Sequence, residues 1–207
     1  MDKIKHLPYL LFHPFDGFYE ARHRGKGSGL LAVILLFIFG VMQIASVQYT
    51  GFVFIYVHIY GIQSVELFFS GVLPILLFII SNWSVAALMN GSGRFKDIFM
   101  VMCYAIVPLI IASLLHIIFS NILVFEELII LRSITVIGLI WFGLLVFSGL
   151  CMVHEYSAGR NIAALLATAV AAIIIVFLVV LYLMLMSTVI SFVQVIFREI
   201  TGRMFQF

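Results

Sequence analysis

Five long apolar runs divide this chain and leave little room for anything else. They cover roughly residues 28–47, 65–89, 98–119, 133–153 and 162–187. A helix needs about 20 mostly apolar residues to cross the hydrocarbon of a bilayer, and each run meets that length. The runs are continuous rather than alternating, which favours helices over a barrel. Composition agrees: 65% of the 207 residues are hydrophobic, only 10% are charged, and the mean hydropathy is +1.27. A soluble domain carries about 25% charged residues and cannot hide this much apolar surface. The expected fold is an all-α integral membrane protein of five transmembrane helices, preceded by an interfacial amphipathic helix. Residues 1–27 form the cytoplasmic segment, and residues 28–207 form the transmembrane domain. The last apolar run continues to about Phe197. It is read as a span to about Ser187, followed by an amphipathic carboxyl-terminal extension. With about 28 residues ahead of it and no small-residue cleavage pattern close behind, the first run is not a cleavable signal.

The basic residues orient the spans. Lys3, Lys5, Arg22, Arg24 and Lys26 precede the first span, Arg94 and Lys96 lie in the second connection, and Arg160 lies in the fourth. Only Arg132, Arg198 and Arg203 fall on the other side. The positive-inside rule then places the amino terminus in the cytoplasm and the carboxyl terminus outside, with the cell membrane as the expected location. The first connection, Gln48 to Ser64, has no Lys or Arg and is rich in aromatics (Tyr49, Phe52, Phe54, Tyr56, Tyr60), as an outer interfacial loop would be. Cys103 and Cys151 show no paired spacing and read as free thiols.

In this topology the site-like residues gather on one face. The stretch HPFDGFYEARHRGKGS, residues 13–28, reads as a helix from Pro14 to about Arg24. Proline suits the first helical position, and Asp16 in the first turn complements the helix dipole. Leu11, Phe15, Phe18 and Tyr19 cluster on one side, to face lipid or the bundle. Asp16, Glu20, His23 and Arg24 cluster on the other. Gly25, Gly27 and Gly29 permit a turn into the first span. The second connection contains a tight Asn90-Gly91-Ser92-Gly93 turn, and Asp97 opens the third span. Asn82 lies about two turns inside the second span, where an amide serves best as an interhelical hydrogen bond. Pro74 and Pro108 are expected to kink their helices.

The candidate cytoplasmic-face cluster is His13, Asp16, Glu20, Asp97, His154 and Glu155. The residues expected at lipid headgroups are Arg22, Arg24, Lys26, Arg94, Lys96 and Arg160. Carboxylates with an imidazole can bind a divalent cation, so any metal would sit among Asp16, Glu20, Asp97, His154 and Glu155. The same groups can instead form salt bridges with the arginines. No other cofactor is suggested.

HPFDGFYEARHRGKGS, the stretch NWSVAALMNGSGRFKDIFMVMCYAIVP and the five-span layout resemble the Yip domain family, the Ypt/Rab-interacting membrane proteins, in a bacterial form. The basic turn followed by a Phe, then Tyr104-Ala105 and Pro108, carries most of the likeness, which extends from about Pro8 to Arg203. The resemblance implies a five-helix membrane protein with a cytosolic amino terminus. In eukaryotes the family acts in vesicle trafficking and contacts small GTPases through a longer amino-terminal region. That role does not carry over to a segment of about 28 residues.

No P-loop, GxGxxG, HExxH or nucleophile elbow is present, and nothing points to a nucleic acid. The deep polar groups are read as Gln43, Ser46, Asn82, Ser84 and Ser113, none ionisable, which disfavours a pump. Three functions remain. The first is a non-enzymatic scaffold or adaptor binding membrane lipids or a membrane-protein partner, a second copy included. The second is a transport or lipid-translocation component. The third is a metal-dependent enzyme acting on lipid headgroups. Ala163, Ala167 and Ala171, and Ala164, Thr168 and Ala172 one residue along, offer small-residue faces for close helix packing, within the bundle or between copies.

Overall fold

The computed structural model describes residues 2–54 and 63–204. Eight α-helices account for most of it: α1 (Asp2–Phe12), α2 (Pro14–His23), α3 (Gly29–Tyr49), α4 (Ser64–Leu88), α5 (Phe95–Ala105), α6 (Val107–Ser120), α7 (Leu128–His154) and α8 (Ala158–Met204). Short 3-10 turns lie at Phe52–Phe54 and Phe125–Glu127, and there is no strand among the described residues. Five helical stretches are long and apolar enough to cross a membrane, with α5 and α6 together making the third. The all-α membrane fold is therefore as expected. Of the aromatic first connection, Tyr56 and Tyr60 lie outside the described residues.

The third span is the axle of the bundle. Its window is 61% buried, against 11% for the last span. It packs on α3 and α7, and α5 also packs on α4. Near its middle the helix breaks at Ile106, which ends α5 and leads into α6. Pro108 explains the break: it lacks an N–H and fits only the first turn of a new helix. Pro74, by contrast, sits inside an α4 that stays helical throughout.

The amino-terminal segment holds two helices rather than one. α1 went unread because Pro8 lies inside it, and a proline is ordinarily taken to end a helix. α1 and α2 pack as a hairpin across Gly17, where a Cβ would lie 2.6 Å from the Leu10 Cα. The buried side of α2 is Gly17, Phe18 and Ala21. Phe18 enters the core beside Val101 and Gly149. Phe15 and Tyr19, expected on the same aromatic face, are half exposed. Packing against α7 and α1 thus overrides the simple aromatic stripe. Trp141 of α7 donates to the Leu11 carbonyl at 3.2 Å, tying α1 to the same helix.

The chain leaves α2 through Gly25, at φ +63°, a left-handed conformation that glycine adopts without steric cost. The hydroxyl of Tyr104 closes this elbow on both backbone groups of Ser28, accepting its N–H at 2.7 Å and donating to its carbonyl at 3.1 Å.

α7 begins one turn earlier than expected, so Arg132 belongs to the helix and not to the preceding connection. α8 is a single helix of 47 residues. Its first part packs against the bundle. Ala164 and Thr168 are buried where α8 packs on α4. From Ile173 to Arg198 every residue except Ile175 is exposed. The side chains from Glu199 onward lie outside those described. Both cysteines are buried and unbonded to each other.

Candidate functional site

The end of the bundle that carries α2 collects nearly all the residues singled out above. Arg22 is the pin that holds α2 there. Its Nη1 donates to the carbonyls of Met152 (3.2 Å) and Val153 (2.6 Å) and to Glu155 Oε1 (3.0 Å), and its Nη2 donates to Ser92 O (3.2 Å). The planar, fixed fork of a guanidinium allows one side chain to bridge two connections at once. The carbonyls are available because α7 ends here. Its cap, Glu155, takes a left-handed conformation at φ 57°, and the last carbonyls of a helix have no partner within it.

Glu20 lies partly buried between the two amino-terminal helices. Lys26 Nζ reaches its Oε2 at 2.6 Å, Arg24 its Oε1 at 2.7 Å, and His6 Nδ1 its Oε2 at 3.7 Å. The hydrogen bond from Lys26 is the main reason its carboxyl pKa falls below the ordinary glutamate value; the neighbouring cations add to it. His6 also donates through Nε2 to Gly17 O at 3.0 Å. Asp16, one turn before Glu20, is exposed and takes no share in this arrangement. His13 stacks on Tyr9 and His23 on Tyr19, with centroids 4.8 and 4.5 Å apart.

His154 is buried rather than displayed on the rim. Its Nε2 donates to Asn82 Oδ1 at 3.0 Å, and Asn82 Nδ2 donates to Thr168 Oγ1 at 3.0 Å. The three residues link α7, α4 and α8. His154 Nδ1 has no hydrogen-bond partner among the described residues and faces the Asn90–Gly93 turn, where Gly91 and Gly93 leave just enough space for the ring. Asn161 donates to Phe147 O at 2.9 Å. Arg160 donates to Met89 O and lies over the Tyr156 ring, 4.7 Å from its centroid.

Asp97 serves the backbone, its Oδ2 accepting the Arg94 N–H at 3.2 Å at the start of α5. Among the described residues no hydrogen bond or ion pair joins two of the six cluster residues; Asp97 acts on His154 only through its charge, and Glu155 meets Arg22 and, at 4.0 Å, His23 instead. Among the described residues no three His, Cys, Asp or Glu side chains converge as metal ligands would. Asp16, Glu20, Asp97, His154 and Glu155 are spread over separate contacts instead.

Two of the cavities among the described residues matter for function. The larger, of about 550 Å³, lies beside the elbow and is lined by Arg22, His23, Arg94, Lys96 and Asp97 among others. The other, of about 300 Å³, lies at the opposite half of the bundle among Gln43, Ser46, Ser113, His116 and Thr135. His116 corrects the reading that no deep polar group is ionisable. It was passed over because it sits in an apolar run close to the end of the third span. His6, Tyr156 and the whole of α1 were missed as well. Leu7, Leu10 and Leu11, at helical spacing, were the available signal for α1.

Five apolar spans, the third of them buried and broken near its middle, define a multi-pass integral membrane protein. More narrowly, the chain belongs to the Yip1 domain family, whose model matches residues 9–181. The match takes in the end of α1, all of α2 and the bundle, and it ends within α8. No curated protein and no solved structure matches the chain.

Proposed function

We propose that the protein is a non-enzymatic membrane scaffold that binds lipids at its α2 rim and a second copy of itself through α8. The single observation behind this reading is the extent of α8 that the bundle leaves uncovered. A helix of 47 residues is about 70 Å long at 1.5 Å per residue. The hydrocarbon core is about 30 Å thick, so roughly 20–25 residues cross it. Apolar side chains continue well past that length. Beyond Ser187 and Thr188, Val189, Phe192, Val193 and Ile196 share one exposed face, flanked by Ile190, Val195 and Phe197, while Ser191, Gln194 and Arg198 fall on the opposite side. Outside the hydrocarbon such a stripe needs a partner, and an identical stripe on a second copy covers both at once. Following the basic residues, the α2 rim lies in the cytoplasm of a bacterial cell and α8 ends outside the cell membrane.

Cysteine scanning of residues 189–197 tests the reading. Val189→Cys, Val193→Cys and Ile196→Cys should form disulfide-linked dimers in membranes, while Ser191→Cys and Gln194→Cys should not. Uniform or absent cross-linking at every position would sink it.

The His116 cavity favours a second reading, a transport or lipid-translocation component, because an ionisable group facing a cavity within a span, here beside Gln43, Ser46, Ser113 and Thr135, marks many pathways. Reconstituted vesicles would then move labelled lipid or solute faster than protein-free ones, and His116→Phe would slow that movement. Equal rates in loaded and empty vesicles count against it.

A further inference from the structure

Four of the six basic residues expected at headgroups are already engaged inside the fold. Arg22 holds backbone carbonyls and Glu155, Arg24 and Lys26 share Glu20, and Arg160 is held by Met89 O and Tyr156. Arg94 and Lys96 differ. Neither forms an ion pair or a side-chain hydrogen bond with another described residue, both are exposed, and both line the 550 Å³ cavity. Arg22 supplies a third cation to the same walls. The one carboxylate there, Asp97, already accepts the Arg94 N–H. Like charges facing one cavity repel one another unless an anion joins them.

We propose that this cavity is a phosphate-binding site and that the phosphate belongs to an anionic phospholipid headgroup. Arg94 offers a guanidinium that can grip two phosphate oxygens, and Lys96 offers a second point charge. Both stand at the beginning of α5, where the helix dipole adds positive potential. Gly25 and Gly27 also line the cavity and add no side chain to it. The volume lies within the range of small-ligand sites. A lipid rather than a free phosphate is favoured by the neighbour of both cations. Phe95 is 44% exposed and meets Trp83 edge to face at 5.9 Å, and Trp83 is itself 49% exposed. This apolar pair starts beside the cations and runs along the outside of the bundle, where an acyl chain can follow it.

The site deepens the lipid-binding half of the scaffold reading and is independent of the α8 contact, so loss of α8 cross-links would leave it untouched. The test uses the full chain in detergent, titrated with short-chain phosphatidylglycerol, short-chain phosphatidylcholine and inorganic phosphate. Bound species are counted by native mass spectrometry. The wild type should prefer phosphatidylglycerol. The Arg94→Gln, Lys96→Gln double variant should bind it about tenfold or more weakly, as loss of charge-assisted bonds implies. Arg132→Gln, at the far end of the bundle, should bind it normally. Lys96→Glu, with an unchanged melting temperature, should abolish the preference. Inorganic phosphate should compete only at much higher concentration. Equal binding by wild type and double variant overturns the site. Saturation by inorganic phosphate with no uptake of phosphatidylglycerol overturns the lipid assignment and leaves a solute as the ligand.

Discussion

At the scale of single residues, Glu20 shows how one carboxylate can organise a whole turn. Lys26, Arg24 and His6 all converge on it. Its pKa is lowered chiefly by the Lys26 hydrogen bond. The sign follows directly. A depressed carboxyl pKa contributes stability that is fully present above the unfolded value, about 4.3, and that is lost as pH falls through the folded value. The melting temperature of the wild type should therefore drop on acidification below that range, and that of Glu20→Gln should change less over the same interval. Parallel curves would show that Glu20 does not matter to the fold. Its neighbour Asp16 shows what spacing alone conveys. An i, i+4 pair of acids was legible in the sequence, but their partners were not. Glu20 reaches back to α1 and forward to the elbow, and neither contact has a local signature.

At the scale of elements, α2 is held to the bundle by shape on one side and by Arg22 on the other. Phe18 fills the space beside Gly149, and Arg22 bridges the two connections. Arg22→Ala should cost about 2–4 kcal/mol, because it strips several charge-assisted bonds and leaves partly buried carbonyls unpaired. Arg22→Lys should recover only part of this, since an ammonium cannot reach both connections as a fork does. Melting in detergent and proteolysis at the Gly25–Gly27 elbow would both report it, with Arg24→Ala as a mild control. A wild-type cleavage pattern in Arg22→Ala would refute the pinning role. The existence of α2 was readable from Pro14, Asp16 and the aromatic spacing. The side it buries was not, because Gly17 and Ala21 look neutral until α1 and α7 are seen to press on them. His154 was read as a rim residue for a related reason. A histidine at a helix end looks exposed until the adjacent turn folds over it, and that turn is made of glycines so that it can.

At the scale of the whole molecule, hydropathy alone sufficed to give the number of spans and their approximate limits, because lipid admits few other solutions for such a chain. It was silent on which span is central. The third is the most buried, yet its composition resembles that of the others, and only Pro108 marked the place where it breaks. The length of α8 was visible as an apolar run to about Phe197, but the run alone did not show whether it bends at the surface or continues as one helix, as it does. That continuity has a consequence. A helix that is apolar on every side from Ile173 to Met186 can slide along the membrane normal at little cost, since each step exchanges one oily side chain for another. Its depth must be fixed elsewhere. The polar contacts near its first turns do this: Arg160 on the Met89 carbonyl, Asn161 on the Phe147 carbonyl, and Thr168 on Asn82. They act as a stop on an otherwise unmarked rod, and they set how far its free end stands from the bilayer.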